Sequence, residues 1–490
     1  MNGHKHFLFF LFLFLSLFHI SKAQVEFRRV YGGADYDQGY SVTQTYDKGY
    51  VVTGSTTSFG NGNSDAYILK TDSMGVALWY KTFGGINIDK AYSIKETSDS
   101  GLVIAGFTNS SGNGGYDMYV VKTDKLGSPE WTKNYGGTNW DFAYDIEQTT
   151  DGGYIITGGT YSFGKGDEDM YLVKTNSIGD TLWTKTFGGI YEDEAKSVKQ
   201  SSDGGYIITG HTKSFGDLLG DIYVVKTDSA GDSLWTYKYN GGNEDYSNEV
   251  IEDINSGYIL GGNTKLVTGN NFNGIVISLS VTGIINSIDT SFGGTANNDF
   301  IASIKQSAGG RFAAAGSTFS YGYGFGTSDF MLHIHNPFNG FHGPTMGDSK
   351  NETAYCLNNT KDGGYIICGI TGSYSILDHI FLVKTDSNGI SPLAVNSFLL
   401  GLNEAVKKNN LIKLYPVPTS GNLFIEILTP QENSTSISIN DILGREFFHN
   451  HYNTQNSNYN INTSEIPNGI YFVNIHNNAF NSTERIIIQH

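Results

Sequence analysis

Arginine is nearly missing from this sequence: only Arg28, Arg29, Arg311, Arg445 and Arg485 occur. A centre that grips a substrate carboxylate with three guanidinium forks would need Arg28, Arg29 and Arg311 together, the three that the repeat region holds. Arg28 and Arg29 are consecutive on an expected strand and point to opposite faces, so no sialic-acid-cleaving triad can be assembled. Cysteine is limited to Cys356 and Cys368, which excludes a cysteine cluster for metal or redox work. Charged residues make up only 16%, and the balance is acidic at −17. Such a surface repels phosphate backbones, so nucleic acid is excluded as a partner. No basic amphipathic stretch suits a membrane surface. No P-loop and no Ser/His/Asp arrangement is present. After the first 23 residues, no apolar run could span a bilayer.

What is abundant is glycine, 62 residues, and aromatics, 13%. Glycine punctuation among Tyr, Phe, Val, Ile and Thr predicts short strands and tight turns rather than helices. Residues 1–23 read as a signal peptide. His4 and Lys5 precede the apolar run Phe7 to Phe18, and Ser21-Lys22-Ala23 places small residues before a cut near Ala23. The mature protein is expected to leave the cytoplasm.

The chain repeats itself. The last glycine of Asp151-Gly152-Gly153-Tyr154-Ile155-Ile156-Thr157-Gly158 recurs as Gly54, Gly106, Gly210, Gly262, Gly316 and Gly369, which makes seven copies about 52 residues apart. The fifth and sixth are degraded. In the third copy, strands are expected at Ala143 to Thr149, Tyr154 to Thr160, Met170 to Thr175 and Leu182 to Phe187. Four short antiparallel strands per copy predict a blade, and seven copies over residues 24–398 predict a seven-bladed β-propeller. The seventh copy has no fourth strand after Gly389. Phe27-Arg28-Arg29-Val30-Tyr31-Gly32-Gly33 supplies the missing piece, so Phe27 to Tyr31 is expected to pair with Ile380 to Lys384 and close the ring.

The runs Thr-Gly-x-Thr-x-Ser-Phe-Gly, Asp-x-Tyr-(Leu/Val)-Val-Lys-Thr-Asp-Ser-x-Gly and Gly-Gly-x-x-x-Asp resemble the secreted bacterial β-propeller repeat family, which implies no particular chemistry. After a linker at 399–410 the period is lost. Leu414-Tyr415-Pro416-Val417-Pro418-Thr419-Ser420-Gly421, Ile437-Ser438-Ile439-Asn440-Asp441-Ile442-Leu443-Gly444-Arg445 and Ile466-Pro467-Asn468-Gly469-Ile470-Tyr471-Phe472-Val473 then follow. Their alternation predicts a small Ig-like β-sandwich. In order and content, residues 411–490 resemble the type A C-terminal sorting domain of the type IX secretion system. Val417 stands where that family usually has Asn. The resemblance implies the type IX machinery as partner and export across an outer membrane, to the surface or beyond.

A residue with a special task should break the repeat. Trp79, Trp131, Trp183 and Trp235 recur and read as blade core. Asp65, Asp117, Asp169, Asp221 and Asp329 also recur and read as caps for backbone N–H groups. No cofactor is expected, and calcium on these aspartates is the one alternative. His333 and His335 share a strand face and are weak metal-ligand candidates, with His342 nearby. Cys356 and Cys368 lie six residues either side of Asp362, so a hairpin would place them opposite each other and permit a disulfide. The loops joining second to third strands and those joining blades should share one face. They carry Phe59, Phe163, Phe215 and Tyr321 in the first set, and Tyr36, Trp140 and Tyr191 in the second. Glu192, Asp37, Asp141 and Asp193 stand beside them as acceptors. Aromatic faces with nearby acceptors suit sugars. The expected function is therefore a monomeric, non-enzymatic binder of glycan or matrix. The alternatives are a glycan-cleaving propeller enzyme, hydrolase or lyase, and a purely structural surface component.

Overall fold

The computed structural model describes residues 25–488 apart from 255–256, 267–270, 294–296, 308–309, 321–327, 337–339, 375–376, 393–394, 400–411, 416–418, 420, 428–433, 442–444, 453–457 and 477–480. The expected signal peptide lies outside the described residues.

Seven antiparallel sheets follow one another along the chain. In the third they are Asp141–Gln148, Tyr154–Thr160, Asp169–Thr175 and Thr181–Phe187, paired in sequence order. The expected strands are matched to within two residues. The burial pattern changes across each blade. Tyr154–Thr160 and Asp169–Thr175 are buried on both faces, Asp141–Gln148 alternates, and Thr181–Phe187 is largely exposed. That gradient follows from packing each sheet between two others around an axis, with first strands inside and fourth strands outside. Accordingly the second strand of each blade lies against the first strand of the next, and this contact also joins the seventh blade to the first. Every junction between blades holds its own apolar cluster.

The ring closes as expected. Phe27–Gly32 pairs with His379–Thr385 from Phe27↔Lys384 to Tyr31↔Ile380. Phe27 thereby takes the register of Trp79↔Lys70 and Trp131↔Lys122 in other blades. Those tryptophans are not interior to a blade. Each rests on the turn glycine of the next blade: Trp79 on Gly127, Trp131 on Gly179, Trp183 on Gly231 and Trp235 on Gly283. Phe27 rests on Gly75 in the same way, where an added Cβ would lie 2.7 Å from its ring. Gly75 has φ 74°, so a side chain is barred by backbone as well as by space. Tyr31 donates to the Gly75 carbonyl at 2.5 Å, as Tyr135 does to Gly179 at 2.7 Å.

A second recurring stitch is a buried lysine. Lys70, Lys122, Lys174, Lys226 and Lys384 pair with Asp47, Asp99, Asp151, Asp203 and Asp362 at 2.8–3.0 Å. These aspartates come from the turn between first and second strands, so the repeat's Asp and Lys letters are structural. Blades five and six have Ser278 and Ile334 at the lysine position, which is the physical content of their degraded pattern.

One strand was not expected. Val395–Leu399 runs parallel to Phe27–Gly32 on its outer side, as a fifth strand of the seventh blade. The C-terminal residues form two sheets, of three and four strands, that share one apolar cluster including Leu423, Ile425, Ile437, Ile439, Val473 and Ile486. This is a small β-sandwich.

Cys356 and Cys368 are register partners, as the turn at Asp362 implies, and both are thiols in this structure. The hydrogen bond from Cys368, with Lys305 nearby, brings Cys356 down to about 6, while burial pushes Cys368 up. A thiolate beside a protonated thiol is the reactive pairing for oxidation. The expected outcome is that exported protein, denatured without reductant, titrates no free thiol. Two titrating thiols would exclude the bridge.

Candidate ligand-binding face

The blade-joining loops and the second-to-third loops do share a face. The Asp35 N–H donates to Ser58 Oγ at 2.9 Å, and Asn139 N–H to Ser162 Oγ at 3.0 Å. Trp140, Tyr36, Phe163, Tyr191 and Phe215 are exposed there, Trp140 by 51%. Phe59 is half-buried, stacked on Tyr67 at 6.1 Å and against Tyr80 at 4.7 Å. Phe163 and Phe215 likewise lean on Tyr171 and Tyr223 while keeping an open side. Tyr321 lies outside the described residues.

The acceptor role given to Asp37, Asp141 and Asp193 is corrected by the structure. All three are fully buried. Asp141 accepts from Gly137 N–H at 2.8 Å, from Ser162 Oγ at 2.7 Å and from Thr160 Oγ1, so it ties the two loops together. Asp37 does the same in its blade, and Asp193 accepts from Gly189 N–H, Thr212 Oγ1 and Ser214 N–H. Asp65, Asp117 and Asp169 accept backbone N–H groups from the loops before them. His333 packs on Phe292 at 4.5 Å. The side chains of His335 and His342 lie outside the described residues. Among the described residues no three His, Cys, Asp or Glu side chains are grouped to hold a metal.

Sequence reading missed the axis. Each first strand carries a β-bulge three residues in, seen as a register shift at Gly39/Ser41, Ala91/Ser93, Ala143/Asp145, Ala195/Ser197, Ser247/Glu249, Ile301/Ser303 and Ala354/Cys356. A bulge re-aims the extra residue. Here the extra residues are Tyr40, Tyr92, Tyr144, Lys196, Asn248, Ala302 and Tyr355, and all seven line one axial pocket of about 680 Å³. The tyrosines form an arc. Tyr355–Tyr40, Tyr40–Tyr92 and Tyr92–Tyr144 have centroids 5.2, 4.9 and 5.4 Å apart. The arc runs on to the rim, since Tyr144 meets Phe142 at 6.4 Å and Phe142 meets Trp140 at 6.5 Å. Next along the strand lies a polar girdle. Ser93 and Ser197 donate to Asp145 at 2.8 and 3.3 Å, and Ser303 donates to Glu249 at 2.6 Å.

Lys196, the one charged side chain among the described lining residues of the pocket, heads a charged cluster that backs one wall. Lys196 Nζ sits 3.9 Å from the centre of the Tyr144 ring and 2.6 Å from Glu194. His211 lies 3.7 Å from Glu194 and 3.2 Å from Glu192, and Lys213 is 2.8 Å from Glu192. The His211 and Lys213 contacts hold Glu192 down at about 2. Behind them Glu168 is 5% exposed, with Oε2 accepting from the Tyr161 hydroxyl at 2.9 Å and Oε1 buried without a partner. Burial, and then the Glu194 charge, push Glu168 up to about 8. Space for its carboxyl exists because Gly159 lacks a side chain: an added Cβ would lie 1.7 Å from Oε1. A copy-by-copy comparison would have flagged this wall. Glu168 stands where other copies have Ser64 or Tyr116, and Gly159 where they have Ser55 or Phe107.

The Glu168 carboxyl has a folded-state pKa above its unfolded one. It keeps its proton in the fold while the unfolded chain loses it, so stability falls as pH rises from about 4.5 to about 8. Glu168→Gln removes that penalty. It is expected to melt above wild type at pH 8, with the margin vanishing near pH 4.5. An equal margin at both pH values would contradict this.

Residues 413–489 match the family of secretion system C-terminal sorting domains. The regulatory protein FlaEY of Caulobacter vibrioides is 24% identical over 213 residues, covering 38% of this chain and 22% of that protein. The match thus spans about a fifth of that relative's length. Among solved structures, Sqt1 from Chaetomium thermophilum has 11% identity and a TM-score of 0.43, over 75% of this chain and 85% of that one. A protein of unknown function from Dyadobacter fermentans has 11% identity and a TM-score of 0.41, over 74% and 98%. An α-L-arabinofuranosidase from Fusarium graminearum, solved with an iminosugar inhibitor, has 9% identity and a TM-score of 0.40, over 74% and 97%. The blade architecture rests on this chain's own strand order, register and ring closure. Residues 413–489 are a secretion system C-terminal sorting domain, and the chain is a β-propeller protein addressed by type IX secretion to the cell surface or beyond.

Proposed function

We propose that the propeller is a non-enzymatic module that binds glycan or matrix on the face bearing Trp140, with the axial pocket as its deepest subsite. The supporting observation is the unbroken aromatic run from exposed Trp140 through Phe142 to the tyrosine arc on the axis. Sugar C–H faces stack on such rings, and tyrosine hydroxyls can donate and accept at their edges. A pocket of about 680 Å³ falls in the size range of small-ligand sites. Glu168 would hold a proton at neutral pH, but both its burial and its Tyr161 bond set it away from solvent. This favours binding over cleavage. Tyr36, Tyr191 and Glu192 flank the same face at other blade junctions and extend it.

Trp140→Ala should weaken binding of a captured glycan about tenfold, roughly 1.4 kcal/mol. Trp140 is half exposed and its contacts are with other surface rings, so the melting temperature should barely move. Calorimetric titration and thermal melts on the same preparation check both. Unchanged affinity, or unfolding, would remove Trp140 from the site.

A further inference from the structure

We infer that the axial pocket selects uncharged sugar units and rejects uronates, with Glu194 setting that selection; this rests on the glycan-binding reading above. Among the seven bulge residues that ring the pocket, Lys196 carries the single cationic side chain. An acidic sugar would need it. Its ammonium is already engaged, 2.6 Å from Glu194 and over the Tyr144 ring. Glu194 is itself mostly shielded, with 12% of its side chain exposed, and the Tyr144 hydroxyl also bonds to it. A ligand carboxylate that reached for Lys196 would have to displace a shielded, well-partnered carboxylate.

The protein contains its own probe of this wall. Glu168 lies just behind it, with an unpartnered, solvent-shielded Oε1. Burial first, and Glu194 and Glu192 after it, favour the neutral form of that carboxyl, whereas Lys196 alone opposes them among the charges. The Glu194 and Glu192 charges act on an incoming carboxylate in the same direction as they act on Glu168. The opposite side of the pocket offers Asn248, Ala302, Phe300 and Tyr246, and no further cation among the described lining residues. The overall charge of −17 acts in the same direction at longer range.

The test uses the full secreted protein with cellohexaose, mannohexaose and the same hexamers oxidised at C6 to uronates. Calorimetric titration at pH 7 is expected to show a neutral hexamer bound at least tenfold more tightly than its oxidised partner. In Glu194→Gln, which leaves Lys196 unneutralised, the ratio should fall to within about threefold of unity. Lys196→Ala occupies a position where another blade already has Ala302, so it should fold; there the ratio should widen. Equal or tighter binding of a uronate by wild type, or an unchanged ratio in both variants, overturns the inference and leaves the glycan reading standing. Binding of none of the hexamers overturns the glycan reading, and this inference falls with it.

Discussion

Protein lacking residues 411–490 is expected to accumulate, folded, in the periplasm, with surface display lost almost completely. The sandwich has its own apolar cluster, drawn entirely from Leu423 to Ile488. Among the described residues, the blade-junction clusters contain none beyond Val383. The truncated protein is therefore expected to keep its core and to melt like the parent propeller. What it loses is the segment that matches the sorting-domain family. Fractionation with protease protection distinguishes the outcomes. Full-length protein should be cleaved on intact cells, and truncated protein only after the outer membrane is opened. Normal display of the truncated form would refute the assignment.

The second large effect concerns closure. Phe27→Ala with Tyr31→Ala should destabilise the propeller by about 5–8 kcal/mol, since each truncation of a buried aromatic costs roughly 3–5 kcal/mol and the two share one cluster. Tyr31 is fully buried, and both rings belong to the cluster joining the seventh blade to the first. For a domain of this size the melting temperature should drop by about 10 °C. Arg29→Ala is the control on the same strand. Its guanidinium donates to the Met74 carbonyl at 3.3 Å and lies 5.7 Å from the centre of the Phe27 ring, so its loss should cost about 1 kcal/mol, well below the double truncation. If the double variant melts within 2–3 °C of wild type, the N-terminal strand does not close the ring. The Phe27–Gly32 strand also carries Val395–Leu399 on its outer edge, so opening the ring should raise protease sensitivity near residue 395 as well.

The fold could be read from the sequence because its information is repeated. Gly54 and its six successors recur at a near-constant spacing, and the lysine and aspartate letters of the repeat turn out to be a buried lysine paired with a partly exposed turn aspartate in five of the seven blades. Closure was legible for a similar reason: a piece absent after Gly389 was present at Phe27. The site was less legible. Alternation with period two assigns Tyr40, Tyr92 and Tyr144 to strands, yet the bulge that turns them toward the axis is a register property with no letter of its own. Polarity in a loop does not entail exposure: Asp37 and Asp141 are consumed by the N–H and hydroxyl groups of neighbouring loops. Val395–Leu399 was missed because it adds to a sheet already complete in the repeat.

Hydrogen–deuterium exchange on the full secreted protein, with and without a glycan that binds it, tests the central claim most directly. The account predicts slowed exchange confined to the face that carries Trp140, in peptides covering 137–148 and 189–198 and in the first strands holding Tyr40, Tyr92 and Tyr355. Slowed exchange on the outer fourth strands or on the opposite face of the propeller, with none around Trp140 and Tyr144, would contradict it.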